Sequence, residues 1–180
     1  MAKVLIVVDM QNDFVSGQLS TIEARGIVGA VREKIEAYQS SGGAVLFTLD
    51  THQDGDYVEQ DPAAEAAALP KHGIKGTEGW EIIGELRSYA AKDNSFEKPT
   101  FLGLGLEALL AEKIADTAGD TIELCGVCTD ICVISNALYL RAKYPRAKII
   151  VDAGACAGVT PEAHKAALTT MKSCLINVIE

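Results

Sequence analysis

The 180-residue sequence predicts an α/β protein, a three-layer α/β/α sandwich around a doubly wound, mainly parallel sheet. Two observations lead to this prediction. Short runs that are apolar on both faces alternate along the chain with segments of helical periodicity, as in successive βαβ units. Strands of a parallel sheet covered by helices on both sides are continuously apolar, which is the pattern of these runs. Because one core can organise a chain of this length, we expect a single domain over residues 1–180.

The order of elements follows from the same two patterns. Strands are expected at 3–9, 43–50, 121–127, 147–153 and 175–180. Helices are expected between them at 22–40, 80–91, 104–117, 130–143 and 161–173. The last helix has the clearest start, because Thr160 can cap it and Pro161 suits its first position.

Composition and charge exclude several classes of protein. The formal net charge of −9 argues against nucleic-acid binding, which requires a basic surface. No apolar run approaches the roughly 20 residues of a membrane span, and the apolar run before Asp9 is too short for a signal peptide. Five cysteines, an odd number, favour reduced thiols in the cytoplasm over a disulfide framework. We therefore expect a cytoplasmic protein with neither a nucleic-acid nor a membrane partner.

Chemically capable residues stand where three predicted strands end. The first strand ends at Asp9, the second at Asp50, and the third leads into Cys128. Sites in doubly wound sheets lie beyond the carboxyl ends of the strands. If these three strands are neighbours, the three groups converge on one site.

The segment after the second strand is a candidate metal site. Asp50 and His52 form an Asp-x-His pair whose side chains project the same way from an extended segment, and His72 follows about twenty residues later. Imidazole and carboxylate ligands suit zinc, manganese or iron(II). Spacing alone leaves open that both histidines are surface residues. It also leaves open which further carboxylate takes part: Asp54, Asp56, Glu59 or Glu65.

A cysteine-rich stretch, ELCGVCTDICVISNAL over 123–138, is a candidate nucleophile site. Cys132 falls in the first turn of a predicted helix, where the helix dipole and a nearby cation lower a thiol pKa. The backbone N–H groups of Cys128 and Cys132 could then hold an oxyanion. Cys125 lies inside a predicted strand and is most simply a core residue. The Cys-x-x-Cys of Cys125 and Cys128 leaves a non-catalytic metal or redox sensor as an alternative.

Several motifs, in order along the chain, resemble those of one enzyme superfamily. VLIVVDMQNDF at 4–14, FEKPTF at 96–101 and GVCTDICV at 126–133 resemble the cysteine hydrolases of the isochorismatase-like superfamily. The Asp-x-His pair and PKHGIKGTEGWE at 70–81 resemble its nicotinamidase/pyrazinamidase branch. The resemblance runs from residue 3 to about residue 160.

The resemblance implies a catalytic triad. Cys132 is the expected nucleophile toward a carboxamide carbonyl, Asp9 the general base, and Lys98 the group that holds both in register. A thioester intermediate is implied, with the N–H groups of Cys128 and Cys132 as the oxyanion site and a cis peptide before Cys128. The expected pocket residues are Phe14, Leu69, Phe101 and Val127.

The resemblance also implies a divalent metal ion that orients the pyridine ring of the substrate. Zinc is the first expectation, with manganese and iron as alternatives. The implied ligands are Asp50, His52, His72 and Glu65, with Glu59 as the alternative to Glu65.

The activity implied is hydrolysis of nicotinamide, and of pyrazinamide, in NAD salvage. A shortened segment after Lys98 departs from the family pattern and leaves another small amide or ureido acid as the alternative substrate. Relatives of this kind often form dimers or larger assemblies, so a homo-oligomer is a further expectation. His164 has no assigned role and is expected to face solvent.

Overall fold

The structure, a computed structural model, describes residues 1–57 and 69–180. Six strands in this part of the chain form one sheet in which every neighbouring pair is parallel. The strands are β1 Lys3–Val8, β2 Ala44–Asp50, β3 Ser95–Lys98, β4 Thr121–Val127, β5 Lys148–Ala157 and β6 Asn177–Ile179. Their order across the sheet is β3-β2-β1-β4-β5-β6. The predicted α/β fold with a parallel sheet is therefore confirmed.

Helices connect the strands. They are α1 Asn12–Val15, α2 Ile22–Gly26, α3 Val28–Ser40, α4 Glu107–Ala111, α5 Ile134–Lys143 and α6 Pro161–Ser173. A π-helical turn, Thr129–Val133, leads into α5, and short 3₁₀ turns lie at Asp54–Tyr57 and Arg87–Tyr89. Helix α6 begins as predicted, because the Thr160 side chain accepts a hydrogen bond from Ala163 N. Within the described residues, no helix combines the length and apolar character that a membrane span requires.

The predicted helix at 80–91 is wrong. The backbone at the start of this segment bonds to the residues that follow β1: Asn12 N donates to Glu81 O, and Ile83 N donates to Met10 O. Ile82 forms a β-bridge with Gln11 here, and only the turn Arg87–Tyr89 of the segment is helical. Tertiary hydrogen bonds override local helical preference here, as they often do.

Other element boundaries also differ from the predicted ones. Strand β3 was not predicted, the helix expected at 104–117 is reduced to α4, and the one expected at 22–40 divides at Ile27. Strand β5 runs on to Ala157, beyond the predicted end at 153. An irregularity allows this extension, because β4 residues Leu124 and Gly126 pair with Val151 and Cys156 of β5.

The core is centred on β1 and β4, whose apolar side chains are almost wholly buried. Lys34 of α3 forms ion pairs with Glu123 of β4 and Asp152 of β5, and Tyr38 donates a hydrogen bond to Glu123 at 2.6 Å. These polar contacts satisfy a carboxylate that would otherwise be costly to bury in the sheet.

Gly126 of β4 pairs with Val8 of β1 and leaves no room for a side chain. Its φ is +112°, and an added Cβ would lie 2.2 Å from the carbonyl oxygen of Val8. We expect Gly126→Ala to lower the free energy of unfolding by about 3 kcal/mol or more, because the backbone clash adds to an unfavourable φ. Urea unfolding of the metal-free protein measures this change.

The matched control is Gly29→Ala in α3, where an added Cβ meets nothing within 4 Å. That variant should unfold within about 1 kcal/mol of wild type. Equal stability of the two variants would contradict the role assigned to Gly126.

Candidate active site

The candidate site lies at the carboxyl end of the sheet. Residue Asp9 follows β1, Asp50 ends β2, Lys98 ends β3, and Cys128 follows β4. These four strands are consecutive neighbours in the order β3-β2-β1-β4. The convergence expected from the strand ends is therefore confirmed, and β3 adds Lys98 to it.

Lys98 is the centre of the arrangement and is completely buried. Its Nζ lies 2.8 Å from Asp9 Oδ2 and 3.4 Å from Asp50 Oδ1. The same Nζ lies 3.5 Å from Cys132 Sγ and donates to the Thr100 carbonyl at 3.3 Å. The three residues of the implied triad are thus in contact with one another through a single ammonium group.

The charges of this cluster fix its protonation at rest. Burial alone would lower the pKa of Lys98, but its electrostatic interactions with Asp9, Cys132 and Asp50 outweigh that effect and raise the pKa. Burial raises the pKa of Asp9, although the charge of Lys98 opposes this effect. Lys98 is therefore the permanent cation of the cluster, and Asp9 is a carboxylate with an increased affinity for a proton.

The expected lowering of the Cys132 pKa is wrong. Burial, with the charge of Asp9 next in importance, raises the pKa of this thiol well above its ordinary value, and Lys98 only partly opposes them. One ammonium facing two carboxylates cannot also stabilise a thiolate in a buried site. The thiol therefore keeps its proton until a base removes it, and Asp9 is the base in contact with the cluster.

The backbone at Asp9 is held in an uncommon conformation. Its φ of 49° lies in the left-handed region, which non-glycine residues rarely adopt. Thr48 fixes the carboxylate there, since its Oγ1 donates to Asp9 Oδ1 at 2.7 Å. The sequence interpretation missed Thr48, although it precedes Asp50 by two residues and so shares its face of β2.

Cys132 is positioned by the π-helical turn that follows β4. The Val127–Cys128 peptide before this turn is cis, as the resemblance implied. Buried Asn136 donates to the Cys132 carbonyl at 2.7 Å and to the Phe101 carbonyl at 3.0 Å. Asn136 was also missed, although its spacing of four residues from Cys132 places both on one helix face.

Asp50, His52 and His72 form a buried group of three ligand atoms, all within 4.8 Å of one another. Asp50 Oδ2 lies 3.3 Å from His52 Nε2 and 3.0 Å from His72 Nε2. Ligand atoms about 2.0–2.1 Å from a tetrahedral zinc ion are about 3.3 Å apart, so these separations fit such an ion. The two-nitrogen, one-oxygen donor set equally suits manganese or iron(II).

The orientation of His72 supports the same interpretation. Its Nδ1 lies 2.7 Å from the Pro70 carbonyl, which can only accept, so Nδ1 carries the proton. Nε2 of the neutral ring then presents a lone pair to Asp50 Oδ2, and a proton or a cation must lie between them. The hydrogen bond to a backbone carbonyl is also the usual way to orient a histidine ligand.

Asp50 belongs to both halves of the site. Burial raises its pKa, but contacts with His52, His72 and Lys98 outweigh that effect and lower the pKa below the usual range. Buried Gln11 fixes its backbone, accepting from Asp50 N at 2.7 Å and donating to Asp50 O at 2.9 Å. Gln11 lies within the DMQNDF motif, but the sequence interpretation assigned it no role.

Of the other carboxylates considered as metal ligands, only that of Asp54 is described by the structure. Asp54 belongs to no ligand group among the described residues; its carboxylate pairs with Lys71 Nζ at 2.8 Å. Glu59, Glu65 and the side chain of Asp56 lie outside the described residues.

A cavity of about 30 Å³ opens at the nucleophile. Asp9 and Cys132 line it, as does Ile131, which was not predicted as a pocket residue. All four predicted pocket residues also line it: Phe14, Leu69, Phe101 and Val127. The ring of Phe14 also contacts His72, with ring centroids 5.5 Å apart. The cavity is small and its walls are mainly apolar, as is usual for the binding site of a small amide.

A larger cavity of about 420 Å³ lies beside β2 and β3, lined in part by Leu49, Trp80 and Ser95. Neither Cys132 nor any of the three metal-ligand candidates lines it. Size alone therefore does not identify the site of chemistry in this protein.

The remaining cysteines do not form a second site in the described residues. All five cysteines are free thiols. Cys125 is completely buried within β4, whereas Cys128 is partly exposed and lines the small cavity, where burial raises its pKa to about 12. The different surroundings of these two thiols do not favour a Cys-x-x-Cys redox or metal pair.

The expectation that His164 faces solvent is wrong. The side chain is partly buried, and its Nδ1 lies 2.8 Å from Oγ1 of Thr129. Thr129 is itself fully buried and begins the π-helical turn that carries Cys132.

The chain matches one protein family over nearly its whole length. The isochorismatase domain family matches residues 3–180. The structure of the nicotinamidase/pyrazinamidase PncA from Bacillus subtilis is similar with a TM-score of 0.82 and 32% identity, over 100% of both chains. N-carbamoylsarcosine amidase from Thermoplasma acidophilum gives a TM-score of 0.80 and 31% identity, over 99% of this chain and 95% of that one. Pyrazinamidase of Pyrococcus horikoshii, solved in complex with zinc, shares the fold with a TM-score of 0.81 at 24% identity, over 100% and 99%.

The ligand group predicts metal binding that depends on two of the three histidines of the chain. Purified protein dialysed against zinc should retain about one equivalent, and His72→Ala should lose most of it, because only two ligands of the described group remain. Elemental analysis of the dialysed proteins measures the content. The control is His164→Ala, which should keep its zinc; equal retention by the two variants would rule out this ligand group.

Proposed function

The chain belongs to the isochorismatase family, and from that premise we propose that it is a metal-dependent nicotinamidase. It converts nicotinamide and water to nicotinate and ammonia, accepts pyrazinamide, and acts in cytoplasmic NAD salvage. The family and two amidases among the structural relatives indicate a hydrolase that acts on amides.

One observation carries the proposal. The buried ammonium of Lys98 contacts Asp9, Cys132 and the metal-ligand candidate Asp50 at 2.8–3.5 Å. A nucleophile, a base and a group of metal ligands are thereby brought to one 30 Å³ cavity. Cysteine amide hydrolysis assisted by a resident metal needs these components in that arrangement.

In the first half of the proposed reaction, Asp9 takes the proton of the Cys132 thiol as the sulfur attacks the amide carbon. The charge on the carbonyl oxygen is stabilised by the backbone N–H groups of Cys128 and Cys132. Asp9 then gives the proton to the departing nitrogen, the C–N bond breaks, and ammonia leaves a thioester on Cys132. Lys98 stays protonated and offsets the negative charge as it moves from the carboxylate to the sulfur.

In the second half, a water molecule attacks the thioester carbon while Asp9 removes its proton. The C–S bond breaks, the sulfur regains a proton from Asp9, and the acid is released. The raised pKa of Asp9 suits this exchange, because it brings the proton affinities of carboxylate and thiol closer together.

Asp50, His52 and His72 would hold the metal ion, which would supply Lewis-acid chemistry for orienting a pyridine ring through its nitrogen. Glu65 is the proposed fourth ligand, with Glu59 as the alternative. Zinc is the first candidate because the donor set and spacing fit it. This role is one of orientation, so the residues around Cys132 carry out the bond changes.

A second substrate class is favoured by one observation. The cavity is narrow and its walls include the aliphatic side chains of Leu69, Val127 and Ile131. A linear carbamoyl amide has a smaller cross-section than a pyridine ring. The alternative substrate is therefore a carbamoyl or ureido acid. The Thermoplasma relative is named as an amidase for a substrate of this class, N-carbamoylsarcosine.

Ammonia release from nicotinamide by the zinc-loaded protein is the direct test. Cys132→Ala should reduce the rate by at least about 1,000-fold, because the attacking atom is removed. The control is Cys174→Ala, an exposed cysteine outside the site, which should match wild type. Chelation should lower the rate and added zinc should restore it.

The same assay separates the two substrate classes. Hydrolysis of N-carbamoyl amino acids by a zinc-loaded protein that leaves nicotinamide and pyrazinamide untouched would replace the nicotinamidase proposal with the alternative. Activity that persists in Cys132→Ala would refute both.

A further inference from the structure

The turn that carries the proposed oxyanion donors is held from behind by the start of α6. Thr129 and Asp130, two of the three residues between Cys128 and Cys132, both contact this region. Thr129 Oγ1 lies 2.8 Å from His164 Nδ1, and Asp130 Oδ1 accepts from Val159 N at 2.9 Å. The turn is therefore fixed by side chains that lie outside the substrate cavity.

We propose that His164 is a positioning residue for acyl transfer: it holds Thr129, and through Thr129 the backbone N–H groups of Cys128 and Cys132. The inference rests on the proposed cysteine chemistry but not on nicotinamide as the substrate. No substrate contact is required of His164, since it is not among the residues lining the 30 Å³ cavity.

The position of Thr129 explains why one hydrogen bond matters. Its peptide group is joined directly to Cys128, and its carbonyl accepts from Ile134 N at the end of the turn. A displacement of Thr129 therefore moves both proposed N–H donors relative to the substrate carbonyl. Donors of this kind act only when they lie within about 2.7–3.1 Å of the developing oxyanion.

Helix α6 is a rigid base for this contact. It has thirteen residues, a side-chain cap at Thr160, and buried Ala167 and Met171 on its inner face. The corner before it is tightly packed, because a Cβ on Gly158 would lie 2.8 Å from Asp130 Oδ1 and 2.9 Å from His164 Cβ. His164 is thus attached to a separate, capped helix that packs on the core through its inner face.

The imidazole ring of His164 is suited to accept a hydrogen bond from the Thr129 hydroxyl group. Burial lowers the pKa of His164 and Lys165 acts in the same direction, while Asp130 opposes them, and the net shift is downward. The ring is then neutral at neutral pH, and its Nδ1 can accept a hydrogen bond from the Thr129 hydroxyl group. An asparagine at 164 carries its amide oxygen at the same distance from Cβ and can replace this function, whereas a leucine cannot.

The test compares two reactions of the same thiol. Acetyl transfer from p-nitrophenyl acetate forms a bond between sulfur and carbonyl carbon, passes through an oxyanion and releases p-nitrophenolate. Alkylation by iodoacetamide displaces iodide at a saturated carbon and needs the sulfur but no oxyanion donors. Both rates are corrected with Cys132→Ala, and thermal unfolding and zinc content are recorded for each variant.

His164→Leu should slow acetyl transfer about tenfold, while the rate of alkylation changes less than twofold. The expected loss is smaller than the roughly 100- to 1,000-fold loss caused by deleting an oxyanion donor, because the donors are displaced and not removed. Where nicotinamide is hydrolysed, kcat should fall with little change in KM. His164→Asn should recover most of the rate. Thr129→Val should resemble His164→Leu, and the double variant should be no slower than either, because one hydrogen bond is lost in all three.

Two controls use exposed residues of α6: Thr170→Val, matched to Thr129→Val, and Lys165→Ala, and both should behave as wild type. Unchanged acetyl transfer in His164→Leu would overturn the inference, as would an equal loss of alkylation or failure of His164→Asn to recover the rate. If the wild-type protein does not hydrolyse nicotinamide but does react in acetyl transfer, only the proposed substrate is refuted. Identical reactivity of wild type and Cys132→Ala would remove the cysteine chemistry itself.

Discussion

A single ammonium group, Nζ of Lys98, lies between two buried carboxylates and the buried thiol, and the rest of the site depends on it. Without that charge, Asp9 would lose its ion-pair partner in the interior, a loss of about 3–5 kcal/mol for a buried pair, and Asp50 would keep only its contacts with His52 and His72. Asp50 also faces His52 and His72, so the same cation stabilises the nucleophile's base and the centre of the metal-ligand group. Neutralising Lys98 would therefore affect both parts together.

The fold could be predicted from the sequence where one signal was strong along a whole element. Both-face apolar runs located β1, β2 and β4, and the Thr160–Pro161 start located α6. Strand β3 could not be found in this way, because only four residues pair and they are partly polar. The segment at 80–91 has a helical pattern, but its first residues form backbone hydrogen bonds with Met10 and Asn12, which only the tertiary structure reveals.

The residues of the candidate site could be predicted from motifs, but the contacts between separate elements could not. Motif order brought Asp9, Lys98 and Cys132 forward, and the structure places them in contact, although their catalytic roles remain a proposal. The direction of the Cys132 pKa could not be read from local sequence, since it depends on burial and on Asp9, far away in the chain. Thr48 and His164 were missed for a related reason: each acts through a contact between separate elements.

The central claim is that Cys132 carries the acyl group of the substrate during turnover. Rapid acid quenching of the zinc-loaded enzyme during nicotinamide hydrolysis, followed by peptide mass analysis, tests it directly. We expect a nicotinoyl group on the peptide that contains Cys132, absent from the Cys132→Ala protein and reduced in amount as substrate is exhausted. Accumulation of nicotinate while that peptide stays unmodified, or with the acyl group on Cys128 instead, would contradict it.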